Sequence, residues 1–382
     1  MPNVSGYTDR IRLLEEVSKL IGKVTLLVGV VDAALPVGES KKFVLNEVRF
    51  VRGFRPLNLW RTARAALAVN DVDIFHDTSG NLILVFLLLF RRKLRPALIT
   101  SFFALEKWRI ENVWKRNGYS TIRLLLEPST RNMYFGAFIQ HIMALVSDRI
   151  VLQSAGLFGR LTEYIGIDEK KISALPNNVD CEFWRANSRK LGRARCFQML
   201  YVGGLEHSRG VFAVLEALGK LKEEAWTVNL VLVVKQGIGG EGPINDFVAR
   251  NSLGNCVEFV SGLSRGEMLN TYNNSDVLVY QTINDGSPRV VLEALSCGLP
   301  VVASHHPGIN VLDPGARFIK FTDYSDVDAI VRNVSELFRD NELRSDLSEV
   351  GQEEVRANFS SDRVAKQYAN FYQNMLSEQT CG

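Results

Sequence analysis

Asn284-Asp285-Gly286-Ser287-Pro288-Arg289-Val290-Val291-Leu292-Glu293-Ala294-Leu295-Ser296-Cys297-Gly298-Leu299-Pro300-Val301-Val302-Ala303 is the stretch on which the fold of this chain turns. It follows the strand-like run Asp276–Tyr280 and opens with a tight loop of small residues, Gly286 and Ser287. Pro288 suits the first turn of a helix, where its missing N–H costs nothing. Val290–Leu295 reads as that helix and Val301–Ala303 as the next strand. A helix that opens on such a loop aims free backbone N–H groups and a partial positive charge forward, which are the groups a diphosphate needs. Asp285 on the loop and Glu293 inside the helix are carboxylates that accept hydrogen bonds from vicinal hydroxyls of a ribose or hexose. Taken alone, the pair is as well explained by a helix-dipole match and a surface charge.

Working outward, short β-branched runs alternate with amphipathic segments through the whole second half: Phe197–Val202, Val211–Leu221, Val228–Val234, Ile244–Ala249, Val257–Val260, Glu267–Tyr272. Such alternation means βαβ units on a parallel sheet, and right-handed crossovers make the sheet doubly wound. The first half alternates less regularly. Lys23–Val30, Val72–Phe75, Ala97–Thr100 and Arg149–Gln153 read as strands, and Leu57–Val69, Phe135–Val146 and Leu157–Ile165 as helices. The polar, aperiodic stretch Asn187–Ala194 marks a linker. The expected organisation is α/β, with an N-terminal domain over 1–185, a C-terminal domain over 186–358, and a capped amphipathic helix over 359–382. The first helix, Asp9–Ile21, follows almost directly on Met1, whereas a doubly wound domain ordinarily opens with a strand and a Gly-rich turn. Gly6 is read as the remnant of that turn, in a chain either shortened or lacking a normally central strand.

The Asp285-(seven residues)-Glu293 spacing, with Ala294, Gly298, Pro300, Val301 and Val302, resembles the hallmark of the GT4-type retaining glycosyltransferases of the GT-B fold. Tyr201-Val-Gly-Gly-Leu-Glu-His-Ser-Arg-Gly-Val resembles that family's first donor-domain strand and turn. Val257-Glu-Phe-Val-Ser-Gly-Leu is similar to its base-binding loop, and Ser147-Asp-Arg-Ile-Val-Leu-Gln-Ser and Lys171-Ile-Ser-Ala-Leu-Pro-Asn-Asn-Val-Asp to the end of its acceptor domain. The resemblance runs from Ser147 to about Phe371. It implies a GT-B fold, two Rossmann-like doubly wound domains facing a cleft, and a retaining, metal-independent hexosyl transfer from a nucleoside-diphosphate sugar, with UDP-sugars favoured and GDP-mannose also used.

The resemblance also implies roles. Glu293 would hold the ribose hydroxyls and Asp285 the transferring hexose. Gly286 and Ser287 would present N–H groups, with Pro288, Arg289 and Val290 opening the helix behind them. Arg209 would bind the diphosphate, as a bidentate cation suits. Gly203 and Gly204 would form the turn at the donor, and Gly262 and Leu263 would frame the base. Asp285, Glu293 and Arg209 are thereby the expected catalytic set. The chain departs from the pattern in three places. Asp285 replaces a glutamate longer by one methylene. Gly204 replaces an arginine, so one cation on the leaving diphosphate is missing, and His207 nearby reads as a surface-turn histidine. The acceptor-domain position that often carries histidine falls at Ser101 or Phe102.

His76 and Asp77 follow Val72-Asp-Ile-Phe at the carboxyl end of a predicted strand, where open α/β sheets bind ligands. With Ser101 they are the acceptor-side candidates; a loop histidine bonded to backbone is the competing reading of His76. His305 and His306 look like a metal pair, but adjacent strand residues point to opposite faces, so they read as a loop and no metal is expected. Gly237-Ile-Gly-Gly-Glu-Gly is misspaced for a dinucleotide fingerprint and reads as a flexible loop.

Composition supports a globular two-domain chain of 382 residues with net charge +3. The charge is uneven. Residues to Asp180 hold 25 Lys+Arg against 17 Asp+Glu, and the remainder 20 against 25. A basic half suggests an anionic partner, such as a lipid phosphate, an acidic glycan or a membrane face, or simply a solvated surface. The longest apolar run, Leu82–Phe90, has nine residues, against the roughly twenty that span a bilayer. It reads as a buried helix, while Arg91, Arg92, Lys93 and Arg95 leave contact with anionic headgroups open. Five scattered cysteines without a C-x-x-C indicate neither a disulfide framework nor a zinc site. The expected setting is the cytoplasm, peripherally at the inner membrane face, with a glycan or lipid-linked acceptor and no nucleic acid. The alternatives are an epimerase of similar architecture, for which no acid/base set is visible, and a catalytically weakened sugar-nucleotide-binding or scaffold subunit.

Overall fold

A computed structural model describes residues 5–21, 24–30, 43–49, 73–77, 97–102, 105, 110, 128–186, 196–224, 227–234, 241–283 and 285–380. The Asn187–Ala194 linker, the Leu57–Val69 helix, the Leu82–Phe90 run with its basic cluster and the Gly237–Gly240 loop lie outside them. The chain divides into two compact units, one of Met1–Arg10 with Asn177–Arg363 and the other of Ile11–Pro176 with Val364–Gly382.

The first helix is α1 (Ser5–Ile21), which from Ile11 on belongs to the unit containing the N-terminal half. Gly6 therefore lies in the first helical turn and is not a remnant loop; a single glycine costs a helix only about 1 kcal/mol. Strands β1 (Val24–Val30) and β2 (Phe43–Arg49) pair in parallel. A four-stranded parallel sheet follows, β3 (Ile74–Asp77), β4 (Ala97–Phe102), β5 (Arg149–Leu152) and β6 (Ile172–Ala174), in that spatial order. Alternate residues feed opposite faces, as strand geometry requires. Leu98, Phe102, Ile150 and Leu152 pack against α2 (Pro128–Val146) and α3 (Phe158–Ile165). Ala97, Ile99 and Val151 pack against Leu13 and Val17 of α1 and against Val364, Ala365, Tyr368 and Tyr372.

The second unit is a six-stranded, all-parallel sheet. Its strands are β7 (Phe197–Gly203), β8 (Val228–Val234), β9 (Val257–Ser261), β10 (Val277–Tyr280), β11 (Val301–Ser304) and β12 (Ile319–Thr322). Their order is β12-β11-β10-β7-β8-β9. The chain runs outward from β7 in one direction and from β10 in the other. The point where the order reverses therefore lies between β7 and β10, and open α/β sheets bind ligands outside the carboxyl ends of the strands at such a point.

Both faces are covered, which is why these strands are nearly continuous in apolar residues. Met199, Tyr201, Leu230, Leu232, Val277 and Val279 face α4 (Val211–Glu223), α5 (Glu241–Arg250) and α9 (Val327–Arg339). Leu200, Val231, Val233, Leu278 and Tyr280 face α6 (Arg265–Asn274), α7 (Arg289–Ser296) and the short α8 (Pro307–Asn310). Helices α10 (Asn341–Phe359) and α11 (Ser361–Thr380) complete the chain; most of α11 belongs to the other unit.

The chain divides at Pro176/Asn177 and Arg363/Val364 rather than at 185 and 358, because the residues after Asn177 pack into the second core. Val179 N–H donates to the Phe359 carbonyl at 2.9 Å. Trp184 is fully buried, lies edge-on to Tyr272 at 5.7 Å and accepts the Ser296 hydroxyl on its carbonyl. Replacing Trp184 by alanine removes a large buried ring and leaves a cavity. We expect a loss of about 3–5 kcal/mol, measured by urea denaturation of the whole chain.

Candidate functional site

The loops after β7 and β10 bring the expected donor residues together at the reversal point. Gly203 ends β7, and the chain turns through Gly204–Arg209 into α4. Gly210 sits between the turn and the helix with φ +64°, and a side chain there would strike Gln281. Only glycine tolerates that backbone at such close approach. Arg209 is thereby delivered beside the end of β10. Its Nη1 donates to Asp285 Oδ2 at 3.1 Å, to Tyr280 Oη at 3.3 Å and to Thr282 Oγ1 at 3.4 Å. The Tyr280 hydroxyl donates to the same Asp285 oxygen at 2.7 Å. Burial works against the charge on Arg209, but Tyr280, Asp285 and Glu206 outweigh it and hold its pKa above the usual value.

The Asp285–Gly286 backbone is pinned from the other side by the loop after β11. Gly308 comes so close that a side chain would collide with the carbonyls of both residues. His306, the N-cap of α8, accepts from Gly308 N–H on Nδ1 at 3.0 Å. Its Nε2 lies 3.1 Å from the Asp285 nitrogen. A neutral imidazole accepts through one nitrogen only. The ring thus takes either the Gly308 N–H on Nδ1 or the Asp285 N–H on Nε2, according to its tautomer. His305 points away and stacks on Phe321 with centroids 4.7 Å apart. The two histidines thus diverge, as read from the sequence. Among the described residues no group of three or more His, Cys, Asp or Glu side chains is placed to hold a metal.

Helix α7 begins at Arg289, with Pro288 as its N-cap in extended conformation. That is one residue later than a proline in the first helical turn. Pro288 fixes the entry but offers no side-chain cap, so the first N–H groups of α7 point into the Asp285–Ser287 loop region. Asn177 holds that loop by donating from Nδ2 to the Ser287 carbonyl at 2.6 Å. Arg289 and Val290 are partly exposed at the helix start. Glu293 is buried one turn further on, and Tyr272 donates its hydroxyl to Glu293 Oε2 at 2.9 Å. Gly262 (φ +71°) and Leu263 follow β9, two strands from β7 in the same sheet. No hydrogen bond or ion pair joins them to Arg209 or Asp285 among the described residues.

Gly204 takes its place in the β7 turn, and its carbonyl accepts the Tyr201 hydroxyl. The volume a side chain would enter holds the Glu206 carboxylate. Where the resemblance sets a second cation, this chain therefore sets an acid. In the other unit, His76 and Asp77 end β3 and Ser101 lies in β4. His76 meets two side chains, with Nε2 2.7 Å from Ser101 Oγ and Nδ1 2.7 Å from Tyr372 Oη. Asp77, the next strand residue, is directed to the opposite face. Sequence reading missed Tyr272, Tyr280, Asn177 and the capping role of His306. The signal for Tyr280 was present, since it is the last residue of a strand at the reversal point.

Residues 185–354 match the family described as Glycosyl transferases group 1. Sucrose-phosphate synthase from Thermosynechococcus elongatus superposes with a TM-score of 0.78 at 16% identity, over 96% of this chain and 92% of that one. Anabaena HepE, solved with UDP and glucose, superposes with a TM-score of 0.71 at 15% identity, over 97% and 96%. The architecture is GT-B. Among curated sequences, glycogen synthase of Mycobacterium tuberculosis is 28% identical over 43% of this chain and 39% of its own length. Spore coat protein SA of Bacillus subtilis is 25% identical over 56% and 58%. The matched region thus spans well under two thirds of those relatives.

Burial lowers the His306 pKa to about 4; Asp285 opposes the shift and Arg209 adds to it. The unfolded histidine titrates near 6.5, so between these values the unfolded chain binds the extra proton and stability falls as pH falls. The loss is on the order of 3 kcal/mol from pH 7 to pH 4. In thermal melts across that range, His306→Gln should show a flatter acid slope than the unaltered protein, from a lower stability at pH 7.

Proposed function

We propose that this chain is a retaining hexosyltransferase. It takes a nucleoside-diphosphate sugar on its C-terminal unit, with UDP-sugars favoured and GDP-mannose the other candidate, and delivers the hexose to a hydroxyl of a glycan or lipid-linked acceptor. The observation that carries this is the meeting of Arg209 and Asp285 at the sheet's reversal point, in front of the N-terminus of α7.

The difficult step is departure of the nucleoside diphosphate, because negative charge builds on its β-phosphate. Arg209 cannot lose its proton near neutrality. Tyr280, Thr282 and Asp285 all engage Nη1, so the rest of the guanidinium fork is the part that meets phosphate. The N–H groups of Gly286, Ser287 and the opening turn of α7 add fixed dipoles that need no reorganisation as charge develops. Asp285 then accepts from hexose hydroxyls, Glu293 accepts from the ribose, and Gly262 and Leu263 frame the base. Charge stabilisation by these groups, without a metal, is part of the reading. Retention follows if the acceptor hydroxyl attacks from the face the diphosphate leaves.

On the acceptor side the reading assigns His76, Asp77 and Ser101 at the carboxyl ends of β3 and β4. Polysaccharide or glycoconjugate synthesis at the inner face of the cell membrane is supported by the basic first half. The exposed Phe135, Phe138 and Leu145 of α2 support the same setting. No described helix is long and apolar enough to cross a membrane.

A second reading is favoured by one observation. Glu206 fills the space beside Gly204, so an acid stands near the leaving diphosphate where a cation would help. A donor-binding subunit with weak turnover would tolerate that arrangement. Calorimetric titration with UDP-, GDP- and ADP-sugars, with donor hydrolysis followed in parallel, separates the two. We expect one nucleotide sugar to bind and to hydrolyse slowly. Glu293→Ala and Arg209→Ala should each weaken binding about tenfold or more, or at least 1.4 kcal/mol. Binding without hydrolysis or transfer supports the weakened subunit. A folded protein that binds none of the panel overturns the donor-site assignment.

A further inference from the structure

Both carboxylates of the Asp285/Glu293 pair are held by a buried phenol. The Tyr280 hydroxyl donates to Asp285 Oδ2 at 2.7 Å, and the Tyr272 hydroxyl to Glu293 Oε2 at 2.9 Å. The two tyrosines come from different elements, the last turn of α6 and the last position of β10. They converge on two carboxylates eight residues apart in one loop-helix segment. Tyr272 is fully buried and Tyr280 is 5% exposed, so neither hydroxyl turns to solvent instead. Burial first, and the adjacent carboxylate second, push both phenols well above their usual pKa, which keeps them donors.

The rings themselves are fixed. Tyr272 packs edge-on against Trp184 at 5.7 Å, and Tyr280 sits in a fully buried parallel strand between β7 and β11. A buried hydroxyl on a rigid ring therefore fixes one oxygen of each carboxylate and, with it, the carboxylate plane. For Asp285 this compensates a structural deficit. Its side chain is one methylene shorter than a glutamate, and Tyr280 and Arg209 both seize Oδ2, which leaves Oδ1 outside these contacts.

We propose that Tyr272 and Tyr280 are positioning residues for the sugar nucleotide: Tyr272 sets Glu293 to accept the ribose hydroxyls, and Tyr280 sets Asp285, with Arg209, to accept the hexose hydroxyls in the transition state. This rests on the donor-site reading above. The two phenols act on different parts of the donor, so their loss separates kinetically. Ribose contacts are uniform through the reaction, whereas hexose contacts tighten as the glycosidic bond breaks.

Tyr272→Phe and Tyr280→Phe remove one oxygen each and keep the ring. The test is calorimetric binding of UDP and GDP, with steady-state donor hydrolysis, on the full chain. Tyr272→Phe should raise the nucleoside-diphosphate Kd and the donor KM about tenfold and leave kcat within about twofold. Tyr280→Phe should lower kcat about tenfold and leave the nucleoside-diphosphate Kd within about twofold. In a Glu293→Ala background, Tyr272→Phe should change Kd by less than about twofold, since the carboxylate it positions is gone. A full tenfold loss in that background shows that the phenol acts on folding, and overturns the proposal. Unchanged kinetics in both single variants, with the unaltered protein binding a nucleoside diphosphate, also overturns it while the donor-site reading stands. If the unaltered, folded protein binds neither nucleoside diphosphate, the donor-site reading fails and this proposal with it.

Discussion

The site rests on one ion pair, Arg209 with Asp285, made where the sheet reverses direction. Its Nη1–Oδ2 separation is 3.1 Å, and the two side chains are 35% and 22% exposed. It is neither a surface pair of negligible worth nor a deeply buried one whose desolvation outweighs its attraction. Its value lies in placement. A guanidinium that stays charged at any physiological pH is fixed in a partly dry pocket, so a phosphate arriving there meets a cation already oriented. Leaving either partner alone would set an uncompensated charge among Tyr280, Thr282 and His306, and this explains why the neighbours are polar and hydrogen-bonded.

Much of the local backbone is explained by keeping that pair in place. Gly210 adopts the left-handed region and itself lies against Gln281, and Gly308 lets the β11 loop touch the Asp285 and Gly286 carbonyls. His306 fastens that loop as the α8 cap. Behind it, Asn177 holds Ser287, while Val179 ties its segment to the end of α10. These contacts also explain why the residues just after Asn177 belong to the C-terminal unit although they precede its first strand. The Asp285–Ser287 loop is held by separate chain segments, from Asn177, from the turn before α4 and from the loop after β11.

How much of this the sequence shows depends on the kind of interaction. Strands β7 to β11 and helices α4 to α7 are legible because a sheet buried on both faces demands continuous apolar runs separated by turn residues. The Asp285–Glu293 segment is legible because a small-residue loop, a proline and a buried helix follow one another in a fixed spacing. Short β6 and β2 are hard to see, since three to seven residues carry little periodicity, whereas β1 falls within the run read over Lys23–Val30. The partners of the carboxylates are illegible for a different reason. Tyr272 and Tyr280 look like ordinary core aromatics in the chain, and only the fold shows that each hydroxyl meets an acid. His76 shows the same limit, because its partner Tyr372 lies 296 residues away.

The central claim is that the Arg209–Asp285 centre receives the diphosphate of a sugar nucleotide. A crystal structure determined with a nucleoside diphosphate tests it most directly. The account predicts a β-phosphate oxygen about 3 Å from the Arg209 guanidinium and from backbone N–H groups between Gly286 and Arg289. It also predicts the ribose at Glu293 and the base at Gly262–Leu263. A nucleotide bound elsewhere, with the Arg209–Asp285 pair untouched, would contradict it.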